Sequence, residues 1–194
     1  MRQLAHALGD APTDTIPHAG EADRLLLSAD RTPNARGAAL TGVAAAPMGA
    51  RLAGFAERIG RGELRALVVV GEDVTAHGLP AGLLAKLDLL VAVDILPHAT
   101  TGAAHFVLPG AAYAEKAGTF VNAKGILQRF TASVPPPGEA RPEGRILGEL
   151  LCALTGRRAD DVEEIFAAMA RSLPALSGLT WKKIGPQGVK LELG

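Results

Sequence analysis

Two short, uninterrupted apolar runs with a helical pattern between them constrain this chain more than any other feature. Leu64-Arg65-Ala66-Leu67-Val68-Val69-Val70 ends at Gly71, and Asp88-Leu89-Leu90-Val91-Ala92-Val93-Asp94 follows after a turn and a helix. Runs of this length predict strands buried on both faces, the pattern of parallel sheets. Between them Leu79, Leu83, Leu84 and Leu87 recur at helical spacing, with Pro80 in the first turn, where its missing N–H costs little. Strand, helix and strand in about thirty residues form a βαβ unit, whose right-handed crossover follows from strand twist.

Phe106-Val107-Leu108 before Pro109 predicts a third short strand, and Arg24 to Ser28 another upstream. From Leu40 to Ile59 the chain is rich in Ala and Gly, and Leu52, Phe55 and Ile59 share one helical face, which predicts a packing helix. The expected fold class is α/β: an open, mostly parallel sheet with flanking helices, a nucleotide-binding-like domain. After Gln128, the three prolines of Pro135-Pro136-Pro137-Gly138 lack backbone N–H donors, and the run predicts an extended strap. Two helices follow. The first spans Arg145 to Thr155; the second carries Val162, Ile165, Phe166 and Met169 on one stripe, with Asp160 and Glu163 as a capping pair. The expected organisation is an α/β domain over 1–128, a Pro-rich strap over 129–144, and C-terminal helices and tail over 145–194, packed on the same domain.

Composition excludes several functions. Lys+Arg and Asp+Glu both number 20, so no net field attracts a polyanion, and nucleic acid is not an expected partner. No apolar run approaches the ~20 residues that cross a bilayer, and Met1 to Asp10 lacks a secretion signal's apolar core and cleavage site, so neither membrane insertion nor secretion is expected. One cysteine, Cys152, excludes an intrachain disulfide and the thiolate set of an iron–sulfur cluster. Set among leucines, it reads as a small buried hydrophobe. The five histidines, His6, His18, His77, His98 and His105, make no HExxH pair. No GxGxxG, GxxxxGK[ST] or GxSxG occurs, so no dinucleotide fingerprint, phosphate loop or nucleophile elbow is present. No catalytic residue and no metal ligand is assigned.

Ligands of open parallel sheets bind beyond the carboxyl ends of the strands. Two loops occupy that edge: Gly71 to Thr75, and the segment from Asp94 to Thr100-Thr101-Gly102. Gly71, Asp73, Asp94, Thr100 and Thr101 are therefore the candidate cofactor-binding residues. The acids either accept hydrogen bonds from a ribose or guanine edge or cap their own turns, as Asp does after a strand. Glu115-Lys116 reads either as an acid–base pair or as an exposed loop pair.

Phe106-Val107-Leu108-Pro109, then Ala114-Glu115-Lys116-Ala117-Gly118-Thr119-Phe120-Val121-Asn122, then Gly125 and Gln128, together resemble the molybdopterin oxidoreductase signature. That pattern runs ADVVLP, then E-x-x-GT-x-x-N-x-EGR-x-Q. Pro135 to Pro142 looks like the family's proline strap, and Pro33-Asn34-Ala35-Arg36-Gly37-Ala38 looks most like the large iron–sulfur component, the G-type subunit, of respiratory NADH:quinone oxidoreductase (complex I). The match covers roughly residues 20 to 157.

The resemblance implies a domain that in catalytic members helps hold molybdenum-bis(pterin guanine dinucleotide), and in the complex I component is a relic without it. Lys124 stands where the pattern has Glu, Ile126 where it has Arg, His105 where it has Asp, and Asp73 where catalytic members often have Asn. Isoleucine cannot replace a guanidinium fork at an anion. No cofactor is therefore expected in this chain: the molybdopterin guanine dinucleotide only with a partner, and iron–sulfur clusters on a partner or an upstream segment. The expected setting is a structural module of the complex I peripheral arm, with the other subunits as partners, on the cytoplasmic side of the inner membrane. The alternative is one half of a split molybdopterin guanine dinucleotide-dependent oxidoreductase. The family's cysteine-rich domain, molybdenum-ligand region and C-terminal barrel fall outside the match, which leaves a split gene, a paralogue and a truncated chain all open.

Overall fold

The apolar runs pair side by side in the computed structural model, which describes residues 1–158 and 161–192. Strands β1 (Ala66–Val70), β2 (Leu89–Asp94) and β3 (Phe106–Pro109) form a parallel sheet in that order, with Val68, Val91 and Phe106 in register. Period-two alternation puts Leu67, Val69 and Leu90 on one face. There they meet Phe55 and Ile59 of α3 (Leu52–Gly60) and Leu84 of α4 (Ala81–Leu84) in the main core. On the opposite face Val70 packs against Leu4 of α1 (Arg2–Ala7) and against Leu147 and Leu151 of α6 (Glu143–Thr155). The α/β architecture with a parallel sheet and flanking helices is as the sequence predicts.

A second sheet leaves no comparable pattern in the sequence. Strands β4 (Gly118–Val121), β5 (Ile126–Phe130) and β6 (Val189–Lys190) are antiparallel, so the chain's tail pairs with the segment just after β3. Val121 and Leu127 of this sheet share a core with Trp181, Ile184, Leu191 and Phe166 of α7 (Val162–Ser172). Gly188 permits the approach: its φ is +77°, and a Cβ there would lie 2.5 Å from the Leu127 carbonyl oxygen. After β5 the strap returns to the end of β3, where Arg141 forms a parallel bridge with Gly110 and its amide donates to Pro109 O.

Four expectations need correction. Arg24 to Ser28 is no strand, because one oxygen of Asp23 accepts the amides of Leu25, Leu26 and Leu27, which a ladder would need. Of the segment from Leu40 to Ile59 only α3, which carries Leu52, Phe55 and Ile59, is the expected helix; α2 (Ala35–Leu40) ends where the segment begins, and a loop with Gly42 and Gly49 at positive φ parts the two. Asp14 holds that loop by accepting from the amides of Ala45, Gly49 and Arg51; burial pulls its pKa upward, but these backbone bonds prevail and lower it. The helix expected from Leu79 to Leu87 is the single turn α4 with Pro80 as its N-cap; three-residue bonds tighten its end so that Asp88 can donate to Arg65 O at the sheet. Finally, the parallel sheet is not covered on both faces, since Val68, Leu89 and Phe106 stay 36%, 38% and 61% exposed.

At α7 the cap is Asp161, which accepts from the Glu164 amide. Asp160, the expected cap, lies outside the described residues. Cys152 is half-buried rather than buried, and it is free.

Candidate functional site

All five candidate residues lie at the carboxyl edge of β1 and β2. Gly71 ends β1 at a φ of +69°, and its amide still donates to Val93 O, so the loop leaves the sheet abruptly. Asp73 then caps the 3-10 turn Val74–His77 through the Thr75 amide. Helix α5 (Ala99–Ala103) begins after β2 and carries Thr100 and Thr101, buried at 0% and 9% exposure.

The two loops are joined by their own side chains. Asp73 Oδ1 accepts from Thr75 Oγ1 and Thr100 Oγ1, both at 2.7 Å. Those hydroxyls, Thr75 first, hold the Asp73 carboxyl far below the ordinary carboxylate range. Asp94 Oδ1 accepts from the Ile95 amide, and Asp94 Oδ2 lies 2.9 Å from His98 Nε2. The other ring nitrogen, His98 Nδ1, is buried, makes no hydrogen bond and sits 3.7 Å from Asp73 Oδ1. Thr101 Oγ1 accepts from the His98 amide and donates to His98 O. Asp73, Asp94, Thr100 and Thr101 thus form one network with His98 at its centre, while Gly71 stays bonded to the sheet through Val93 O. Neither HExxH nor HxxxH spacing identifies His98, which reaches Asp94 because the loop after β2 turns back to the N-cap of α5.

Close by, His18 Nε2 lies 2.7 Å from Glu72 Oε1, and His77 meets the His18 ring edge-on at 5.7 Å. Among the described residues no group of three or more His, Cys, Asp or Glu side chains is arranged to hold a metal ion.

The signature residues serve the fold. Glu115 and Lys116 do not pair with each other. Glu115 Oε2 accepts from the Ala112 amide, while Lys116 Nζ donates to both carboxylate oxygens of Glu143 at 2.7 Å, tying the loop to the start of α6. Asn122 Oδ1 accepts from the amides of Lys124 and Ile126 and shapes the β4–β5 turn, which passes through Gly125 at φ +73°. Asn34 Oδ1 accepts from the Val121 amide across 87 residues of sequence. At the divergent positions, Lys124 is exposed and Ile126 half-buried, and His105 Nδ1 accepts from the Leu90 amide.

The molybdopterin oxidoreductase family model matches residues 30–153, well over half of the chain. F420-dependent formate dehydrogenase 1 subunit alpha of Methanococcus maripaludis is 32% identical over 136 residues, which is 66% of this chain and 20% of that one. The second G-type subunit of NADH-quinone oxidoreductase from Rhizobium meliloti is 34% identical over 146 residues, 72% of this chain and 17% of the relative. Among solved structures, acetylene hydratase from Pelobacter acetylenicus superposes with a TM-score of 0.51 at 20% identity, covering 72% of this chain and 20% of that one. The chain therefore spans about a fifth of the length of the relatives it matches.

Proposed function

Since the chain belongs to the molybdopterin oxidoreductase family, we propose that it is a structural module, without a redox centre of its own, of a larger NADH:quinone oxidoreductase of the complex I type. The observation that carries this reading is the closed network at the sheet edge. A guanosine bound there needs acceptors facing the cleft. Asp94 has both oxygens engaged, Thr100 and Thr101 are buried with their hydroxyls in use, and Asp73 takes three donors on Oδ1, which leaves Oδ2 of its half-exposed side chain as the open acceptor among the described candidates. His98 lies between the two acids. A guanine edge pairs with both oxygens of one carboxylate, and neither acid has both open, so these residues do not fit the molybdopterin guanine dinucleotide and no step is assigned to it.

The single cysteine supports the same reading, because a cluster needs three or four thiolates. Within the described residues no helix is long and apolar enough to cross a membrane. Attachment on the cytoplasmic side of the inner membrane would accordingly run through partner subunits. The 34% identity to an NADH-quinone oxidoreductase component over 72% of this chain supports complex I, while formate dehydrogenase H of Escherichia coli matches the same share at 27%. Purification of the tagged chain from its own cells tests the proposal. Recovery with cluster-bearing subunits that oxidise NADH is expected, and recovery of the chain alone overturns it.

The formate dehydrogenase alpha subunits, at 32% and 33% identity, favour a second reading: one half of a split molybdopterin guanine dinucleotide-dependent oxidoreductase. Molybdenum at one atom per assembly, with formate or another small substrate oxidised, would select it over the first.

A further inference from the structure

The face of the parallel sheet that carries Val70 is only half covered. Alternation places Ala66, Val68 and Val70 of β1, Leu89, Val91 and Val93 of β2, and Phe106 and Leu108 of β3 on this face. At the carboxyl end Val70 lies under Leu4, Leu147 and Leu151, and Val93 is 1% exposed. At the amino end Val68, Leu89 and Phe106 lie open around a half-buried Val91, with Phe106 61% exposed. Leu150 and Leu154 of α6 extend the stripe of Leu147 and Leu151 and are also exposed.

Parallel sheets are covered on both faces, almost always by helices, because their strands are apolar throughout. Here α1 and α6 supply half of that cover. This chain matches 20% and 17% of two such relatives, so about four fifths of their polypeptide lies beyond what it matches. We infer that the open half, centred on Phe106 with Val68, Leu89 and Val91, is the surface on which the polypeptide carrying the rest of the molybdopterin oxidoreductase fold docks, with an apolar helix face as the occupant. The inference rests on the proposed membership of a larger oxidoreductase and adds which surface is used. Apolar complementarity is the recognition chemistry: the exposed ion pair Arg65–Asp88 stands at the amino-end rim, and charge stays out of the row itself. A partner helix with leucine- or valine-rich i, i+3, i+4 spacing matches the pleat.

Site-specific photocrosslinking in the full chain, expressed in its own cells, tests this. Benzoylphenylalanine replaces Phe106 in one experiment and Val107, on the opposite face and 50% exposed, in another. An adduct from position 106 to a cluster-bearing oxidoreductase subunit, with none from position 107, is the expected result. An adduct to a second copy of this chain, to an unrelated protein, or equally from both positions overturns the inference. Absence of any adduct from position 106, while the chain still co-purifies with oxidoreductase subunits, also overturns it and leaves the functional proposal standing. Failure to co-purify defeats the functional proposal itself. In parallel, Phe106→Glu lowers recovery of the partner by about tenfold or more, as loss of a buried phenyl ring requires. Val107→Glu changes it less than about twofold, and a circular dichroism melt confirms that both variants fold.

Discussion

Lys116→Met separates a structural role for the signature lysine from a catalytic one. Lys116 Nζ reaches both oxygens of Glu143 at 2.7 Å, and the two side chains are 26% and 19% exposed. A hydrogen bond to a charged partner contributes about 1.5–3 kcal/mol net. Glu143 opens α6, so the helix N-terminus still stabilises the carboxylate after the lysine is gone, by about 0.3–1 kcal/mol. Methionine keeps most of the apolar stem, which limits packing loss. The expected destabilisation is about 1–2.5 kcal/mol, or a fall in Tm of roughly 2–10 °C for a chain of this size. Urea unfolding of wild type, Lys116→Met, Glu143→Gln and the double variant measures it, and the cycle should return a coupling of about 1–2 kcal/mol at unchanged m-value. Additivity within about 0.3 kcal/mol would refute the argument, since the contact would then contribute nothing that solvent does not replace.

Three further outcomes follow from the same geometry. Gly37→Ala puts a Cβ 2.1 Å from Asn34 Oδ1, so Asn34 must release the Val121 amide; urea unfolding should show a loss of about 1–3 kcal/mol, and the same change in an Asn34→Ala background should cost far less. Phe166→Ala removes a ring that is 1% exposed and edge-on to Trp181 at 6.1 Å, and should cost about 3–5 kcal/mol while shifting tryptophan fluorescence in the folded state. Asp73, whose folded pKa is depressed by Thr75 and Thr100, contributes stability that is complete above the ordinary carboxylate value of about 3.9 and is lost as pH falls toward its folded pKa. Denaturation midpoints of Asp73→Asn should therefore fall below wild type at pH 7 and converge with it in acid; parallel curves would contradict the bond pattern.

The parallel sheet is legible in the sequence because its strands carry their own signal. Val68-Val69-Val70 and Leu89-Leu90-Val91 are apolar whichever face is considered, and the one side chain that takes an amide among them, His105 at Leu90, sits immediately before the neighbouring strand and keeps the sheet together. Leu25-Leu26-Leu27 looks similar in composition, yet Asp23 takes all three amides, a local competition that hydrophobicity does not register. The second sheet stays hidden because β6 has two residues and its pairing with β5 depends on Gly188 approaching Leu127. At the sheet edge, Gly71, Asp73, Asp94, Thr100 and Thr101 lie together because loop placement follows strand direction, but whether the acids face a ligand or their own loops depends on distances between loops. His98 escapes notice when histidines are weighed by metal-ligand spacing alone, because its reach to Asp94 depends on how the loop after β2 turns back. The Lys116–Glu143 pair spans 27 residues and leaves no trace in the pattern.

A chain that lends structure to an oxidoreductase and holds no redox centre must be free of redox metal once separated from its partners. Elemental analysis of the purified 194-residue chain, alongside the assembly isolated from its own cells, decides the matter. Iron at cluster stoichiometry is expected in the assembly, and less than about a tenth of an atom of iron or molybdenum per isolated chain, as a single cysteine and the proposed lack of a guanosine site require. One molybdenum atom retained per isolated chain, together with a released guanine nucleotide, would contradict it.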